Sequence, residues 1–198
     1  MGATEFDPTA DLAACQAMAG EFETYLKSDV LYWQMDAAHP GGEQLPKLTL
    51  GGFLERAWRL RAAPLSSAQL AALDKAVRRF EQARDAHRQR YVTRALHDLR
   101  GRLDAWAWYL DDYAKQPIEE APYYPAQAHT RLAIALLLAQ RELAHNAEAA
   151  SLTHRLFALD ERLRADWIAG AFVWHSSLAH AFPREQFWWL YGRLKQPE

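Results

Sequence analysis

The sequence predicts an all-α protein, a bundle of about five to seven helices organised around one long helix, about 67–115, and a buried C-terminal helix, about 167–182. Three observations carry this. The apolar residues are mostly Ala and Leu, 37 and 27, against 4 Val and 3 Ile, and unbranched side chains favour helix where β-branched ones favour strand. Arg outnumbers Lys by 18 to 5, as a GC-rich genome would also cause, so composition alone does not decide. Apolar residues recur at steps of three and four, and helix start and stop signals bracket the periodic runs.

Each element follows in order. Leu12, Cys15, Ala19, Phe22, Leu26 and Trp33 form one face of a helix over about 9–35, started by Pro8 and Thr9 and followed by Pro40, Gly41 and Gly42. His39 to Leu48 reads as a loop. Thr49 then caps a short helix through Ala62 bearing Phe53, Leu54, Trp58 and Leu60, closed by Pro64.

Ser66 and Gln69 make a capping-box pattern, and no Gly or Pro follows until Gly101. One stripe runs through Leu70, Leu73, Val77 and Phe80, and another through Val92, Leu96, Leu99, Leu103, Trp106, Leu110 and Tyr113, which places Gly101 inside the helix. The stripe rotates by about 70° between its halves. Unbroken, such a helix spans about 74 Å, and the expectation is an elongated molecule with a surface on which two copies pair. Pro117 and Pro122 end it.

Pro125 opens a helix to about His145, with Asn146 as a stop or bend; Leu152, Leu156, Leu159, Leu163 and Trp167 mark the next. From Trp167 to Pro183 no charged residue occurs. Read as a helix, that segment is apolar on both faces and becomes the most buried one. Phe187 to Tyr191 forms a short amphipathic end closed by Gly192.

Length and charge exclude several classes. A chain of 198 residues buries roughly 70% of its unfolded surface and is read as a single helical domain, 1–198, needing no metal or disulfide. The formal charge of −2, with 50% hydrophobic residues, excludes wholesale disorder. One cysteine, Cys15, excludes an internal disulfide framework. Glu5, Asp7 and Asp11 stand where a secretory signal needs positive charge, so the protein is read as cytoplasmic. The uncharged run contains His175, Ser176, Ser177 and His180 and falls short of the ~20 apolar residues of a spanning helix, so no membrane is expected. Residues 74–104 are locally basic, but Lys75, Arg78, Arg79, Arg90, Arg94 and Arg100 lie opposite the apolar stripe, where a solvated face belongs. No nucleic-acid partner is expected.

Candidate sites are few. His175 falls in line with Ile168, Phe172 and Phe182, which suggests a buried imidazole, either satisfied by a carbonyl or serving as ligand or acid–base group. Trp174, Trp188 and Trp189 cluster near it in sequence, with Trp33 or Trp58 opposite, as the wall of a cavity for an apolar or aromatic small molecule. Three consecutive aromatics, Phe187 to Trp189, exceed what one helix face buries. Arg84 and His87 occupy apolar-stripe positions and are a candidate polar core. Glu142 and His145 supply one Glu-x-x-His half-motif without its second copy, so neither metal nor cofactor is expected.

No motif fixes a chemistry. Every strong feature is a packing feature, which favours a non-enzymatic scaffold or protein-interaction domain, with a homo-oligomer or another protein as partner. A small-molecule binding module is the alternative, and an enzyme using a buried histidine the third reading.

Overall fold

The computed structural model describes Phe6 and residues 8–36 and 45–196. Helix makes up 74% of it. The described elements are α1 (Pro8–Lys27), α2 (Leu50–Ala62), α3 (Ser67–Ala86), α4 (Arg88–Lys115), α5 (Pro117–Glu120), α6 (Tyr124–Leu138), α7 (Ala147–Ala165), β1 (Trp167–Phe172) and β2 (Tyr191–Leu194). The all-α class stands. No described helix is long and apolar enough to cross a membrane. Contacts cluster in two units, one ending at Asp98 and one running from Leu99 onward with Phe6.

In the N-terminal unit α1, α2 and α3 each place one phenylalanine in a common core. Phe80 lies 4.3 Å from Phe22 and 4.2 Å from Phe53, ring centroid to ring centroid. Such pairs add to simple area burial. Thr49 caps α2 as its sequence implies, accepting from the Gly52 amide at 3.0 Å. The Asp98 carboxylate, 1% exposed, accepts from the Gly51 amide at 2.7 Å, a negative charge at the positive end of the α2 dipole. Ser66 and Gln69 form the full capping box of α3.

The first helix ends at Lys27, not near 35. Ser28 and Asp29 are weak helix formers, the Ser28 hydroxyl donates back to the Tyr25 carbonyl at 2.9 Å, and Arg94 takes the carbonyls of Ser28 and Val30. The chain then bends repeatedly, and Trp33 bridges to Leu48. Most of the loop expected over 39–48, with Pro40, Gly41 and Gly42, lies outside the described residues.

The long helix is divided rather than unbroken. His87 leaves helical geometry, with φ −125° and ψ 39°, and helical hydrogen bonding resumes from its carbonyl to the Tyr91 amide. One non-helical residue absorbs the rotation of the apolar stripe, so that Phe80 before it and Tyr91 after it are both buried, 6.1 Å apart and edge-on. Gly101 lies inside α4.

In the C-terminal unit α6 stops at Leu138, short of His145, because Gln140 turns to extended backbone before a 3-10 turn at Arg141–Leu143. Asn146 starts α7 rather than bending it, its side chain accepting from the Ala149 amide at 3.0 Å.

The largest correction concerns 167–182. No buried helix forms there. Trp167–Phe172 is a strand paired antiparallel with Tyr191–Leu194, and Ser176–Ala181 is a 3-10 turn. Trp167, Ile168, Phe172 and Val173 are aromatic or β-branched, and Gly170 weakens a helix at its middle. Ile168 is 37% exposed and Ala169 to Ala171 are exposed, so an absence of charge did not mean burial.

Candidate functional site

The C-terminal unit holds a largely apolar cleft of about 440 Å³ beside the β1–β2 hairpin. Its walls come from Pro122, Tyr124 and Pro125 at the start of α6, from Ala169 to Val173 and from Gly192 to Leu194. Hairpin residues with little or no side chain, Ala169, Gly170, Ala171 and Gly192, leave this space open.

Gly192 is required by geometry. Its φ is +156°, and a Cβ built there would stand 2.3 Å from the Ile168 carbonyl oxygen and 2.7 Å from the Trp167 indole. The Trp167 indole thus lies against Gly192 of β2, and the tilted Tyr124 ring meets it at 4.9 Å. Tyr124 is 1% exposed and donates to the Trp189 carbonyl at 2.6 Å; burial pushes its phenol well above the ordinary range, so it stays protonated.

β1 has one strand neighbour. The Lys195 amide donates to the Asp166 carbonyl at 2.9 Å, and the register continues through Ile168 opposite Arg193. These are the pairs that exchange hydrogen bonds, so the N–H and C=O of Trp167 and Ala169 point away from β2. The register then shifts between Ala169 and Phe172. Arg184 holds this irregularity by donating to the Gly170 carbonyl at 3.0 Å.

The structure places the residues singled out from sequence as follows. His175 is exposed, not buried: its Nδ1 lies 2.7 Å from the Ser177 hydroxyl and caps the 3-10 turn by accepting from the Ser177 amide. The helical line through Ile168, Phe172 and Phe182 does not exist once 167–172 is a strand. Trp174 is half-buried, donates to the Pro125 carbonyl at 2.8 Å and stacks on His129 at 4.4 Å. Trp188 carries the Arg164 guanidinium 3.7 Å over its ring and meets Trp189 edge-on at 6.1 Å. Trp189 is buried under Arg131 at 3.8 Å. The cleft wall therefore holds neither tryptophan nor histidine, contrary to the Trp/His-lined cavity expected.

Trp33 and Trp58 belong to the N-terminal unit. Trp33 donates to Glu21 at 2.7 Å, and Trp58 is 36% exposed. Arg84 and His87 do not form a polar core either. Both are half-buried and lean on exposed carboxylates, Arg84 on Asp85 at 3.0 Å and His87 on Glu23 at 3.2 Å, which puts them at the rim of the core rather than within it. Lys27 and His87 together hold the Glu23 carboxyl below its usual range.

Among the described residues no three His, Cys, Asp or Glu gather as metal ligands would. Glu142 lies in the 3-10 turn beside Arg141, where helical i, i+3 spacing to His145 does not apply. Sequence reasoning missed the cleft itself. Its signal was present in Trp-Ile-Ala-Gly-Ala-Phe and Tyr-Gly-Arg-Leu, two short runs of strand-forming residues each interrupted by glycine.

Compared with protein families, curated proteins and solved structures, the chain matches none.

Proposed function

We propose that the protein is a non-enzymatic interaction module and that the cleft beside β1 takes hold of an extended, uncharged polypeptide segment of its partner. The observation that carries this reading is the coincidence of an apolar cleft with outward-facing backbone groups at Trp167 and Ala169. Addition of a strand to such an edge supplies main-chain hydrogen bonds for affinity, while the adjoining cleft selects side chains. Natural edge strands are usually guarded by Lys, Pro or a covering element. Ile168 to Ala171 contains neither Lys nor Pro, and the edge is interrupted only beyond Ala169, where the register shifts and Arg184 takes the Gly170 carbonyl. A cytoplasmic setting, in which Cys15 stays reduced, belongs to the same reading.

A second reading, a small apolar ligand in the same cleft, is favoured by its volume, which falls within the range of about 300–1,000 Å³ typical of ligand pockets. Peptides selected against the protein by display separate the two. Binders should be extended and uncharged, and Ala169→Pro should abolish their binding, since proline removes an outward N–H at an edge position where the fold tolerates it. Selected peptides that bind Ala169→Pro as well as the parent would overturn the strand-addition reading. Saturable binding of a small aromatic compound in the same cleft, unaffected by Ala169→Pro, would support the second.

A further inference from the structure

A second cavity, of about 400 Å³, lies in the N-terminal unit where α1 ends, and its chemistry is opposite to that of the cleft. One face of α4 supplies Arg90, Thr93, Arg94 and His97, residues three and four apart; Ser28 and Asp29 face them.

Arg94 is the centre of this arrangement. It is 7% exposed, yet no carboxylate pairs with it among the described residues. Its guanidinium instead donates to the carbonyls of Val30 at 2.8 Å, of Tyr25 at 3.5 Å and of Ser28, and lies 4.8 Å from the Tyr25 ring centroid. A guanidinium has five N–H groups; these three bonds leave two uncommitted on a side chain that lines the cavity. Arg90 is exposed, gives one bond to the Lys27 carbonyl at 3.0 Å, and keeps its other donors. The nearest buried acid along the helix, Asp98, is turned to the Gly51 amide.

Carbonyl oxygens at a helix C-terminus bring partial negative charge and offset part of the Arg94 cation. They do not neutralise it. A buried cation with spare donors, a second arginine one turn before it and a histidine one turn after it make a site preorganised for an anion with several acceptor oxygens. We infer that this cavity at the end of α1 binds a small phosphate monoester, held by Arg94, Arg90 and His97. The Asp29 carboxylate lines the same cavity and repels a bare anion, so the ligand presents a donor, such as an ammonium group, next to its phosphoryl group.

Histidine side-chain NMR of the full chain, at fixed ionic strength, tests this with two probes, inorganic phosphate and O-phosphoethanolamine. His97 should shift saturably with both, while His145 and His154 stay in place. O-phosphoethanolamine should bind more tightly, and Asp29→Asn should remove that difference. Arg90→Ala should weaken both by about tenfold, the worth of one charge-assisted hydrogen bond. Arg78→Ala, an exposed arginine outside the cavity, should change nothing. Equal drift of all histidines, no saturation, or equal weakening by Arg78→Ala and Arg90→Ala would overturn the assignment.

Discussion

Asp160 grips Arg131 with both carboxylate oxygens, Nε at 2.9 Å and Nη2 at 2.7 Å, joining α7 to α6 inside the C-terminal unit. Both side chains are nearly withdrawn from solvent, at 5% and 11% exposure, and the Trp189 ring covers the guanidinium. Removing one partner of such a pair strands the other charge without solvation. Asp160→Ala is therefore expected to cost about 3–5 kcal/mol, and the double replacement Arg131→Met with Asp160→Leu distinctly less than the single one. Urea melts of the three proteins check the order, and a single-variant loss below about 1 kcal/mol would contradict it.

Two glycines of the hairpin should respond differently to the same substitution. At Gly192 a methyl group meets backbone and indole atoms under 3 Å away, whereas at Gly170 it meets the Gly192 Cα at 3.6 Å, ordinary contact. Gly192→Ala is expected to lose about 2 kcal/mol or more, from an unfavourable φ together with overpacking. Gly170→Ala should lie within about 0.5 kcal/mol of the parent. Thermal melts of the pair decide it.

Alkaline pH should unfold the C-terminal unit through its tyrosines. Burial raises the phenols of Tyr109, Tyr113 and Tyr124 above their ordinary value of 10.0. A group whose pKa is raised on folding contributes stability that is complete below the unfolded value and is lost as pH climbs from there through the folded value. Stability should fall from about pH 10 upward, and absorbance at 295 nm should show these three phenols ionising together with the loss of helix. Ionisation of all tyrosines in a folded chain would refute this.

Cys15 should be inert. It is fully buried, and burial, reinforced by the Asp11 charge, pushes its thiol up to about 12. The reactive species is the thiolate, so a disulfide reagent at pH 8 should label the protein only at the rate of unfolding. Rapid stoichiometric labelling of native protein would show that α1 opens.

The helical part of the fold was legible because its signals are local. Thr49, Ser66 with Gln69, and Pro125 act within one turn, and the stripes at Phe22, Phe53 and Phe80 identify a core without saying which rings meet. What failed is what depends on partners distant in sequence. The strand at Trp167 exists only because Tyr191–Leu194 lies beside it, and six residues with apolar character on both sides fit a helix or a strand equally. The end of α1 was misplaced for the same reason. Arg94, more than sixty positions away, takes the carbonyls that would have continued the helix. His87 offered a trace of its break in the rotated stripe, but its Ala, Arg and Gln neighbours are good helix formers and concealed it. Of the candidate site, none of the expected Trp or His lines the cleft, since small residues leave no mark in a search for chemical groups.

Three ion pairs link α4 to α7, Arg100 to Glu148, Asp104 to Arg155 and Asp111 to Arg162, and their numbers rise together, so the two helices point the same way. Helices joined by a short turn point opposite ways. Parallel alignment obliges the chain to travel back through α6 before α7 can meet α4, and each link closes a loop of about fifty residues, whose entropy must be lost before any contact is gained. The order of events during folding is thereby constrained. The seam between α4 and α7 closes late, after α6 has returned the chain, so weakening it should hasten unfolding and leave the refolding rate nearly untouched.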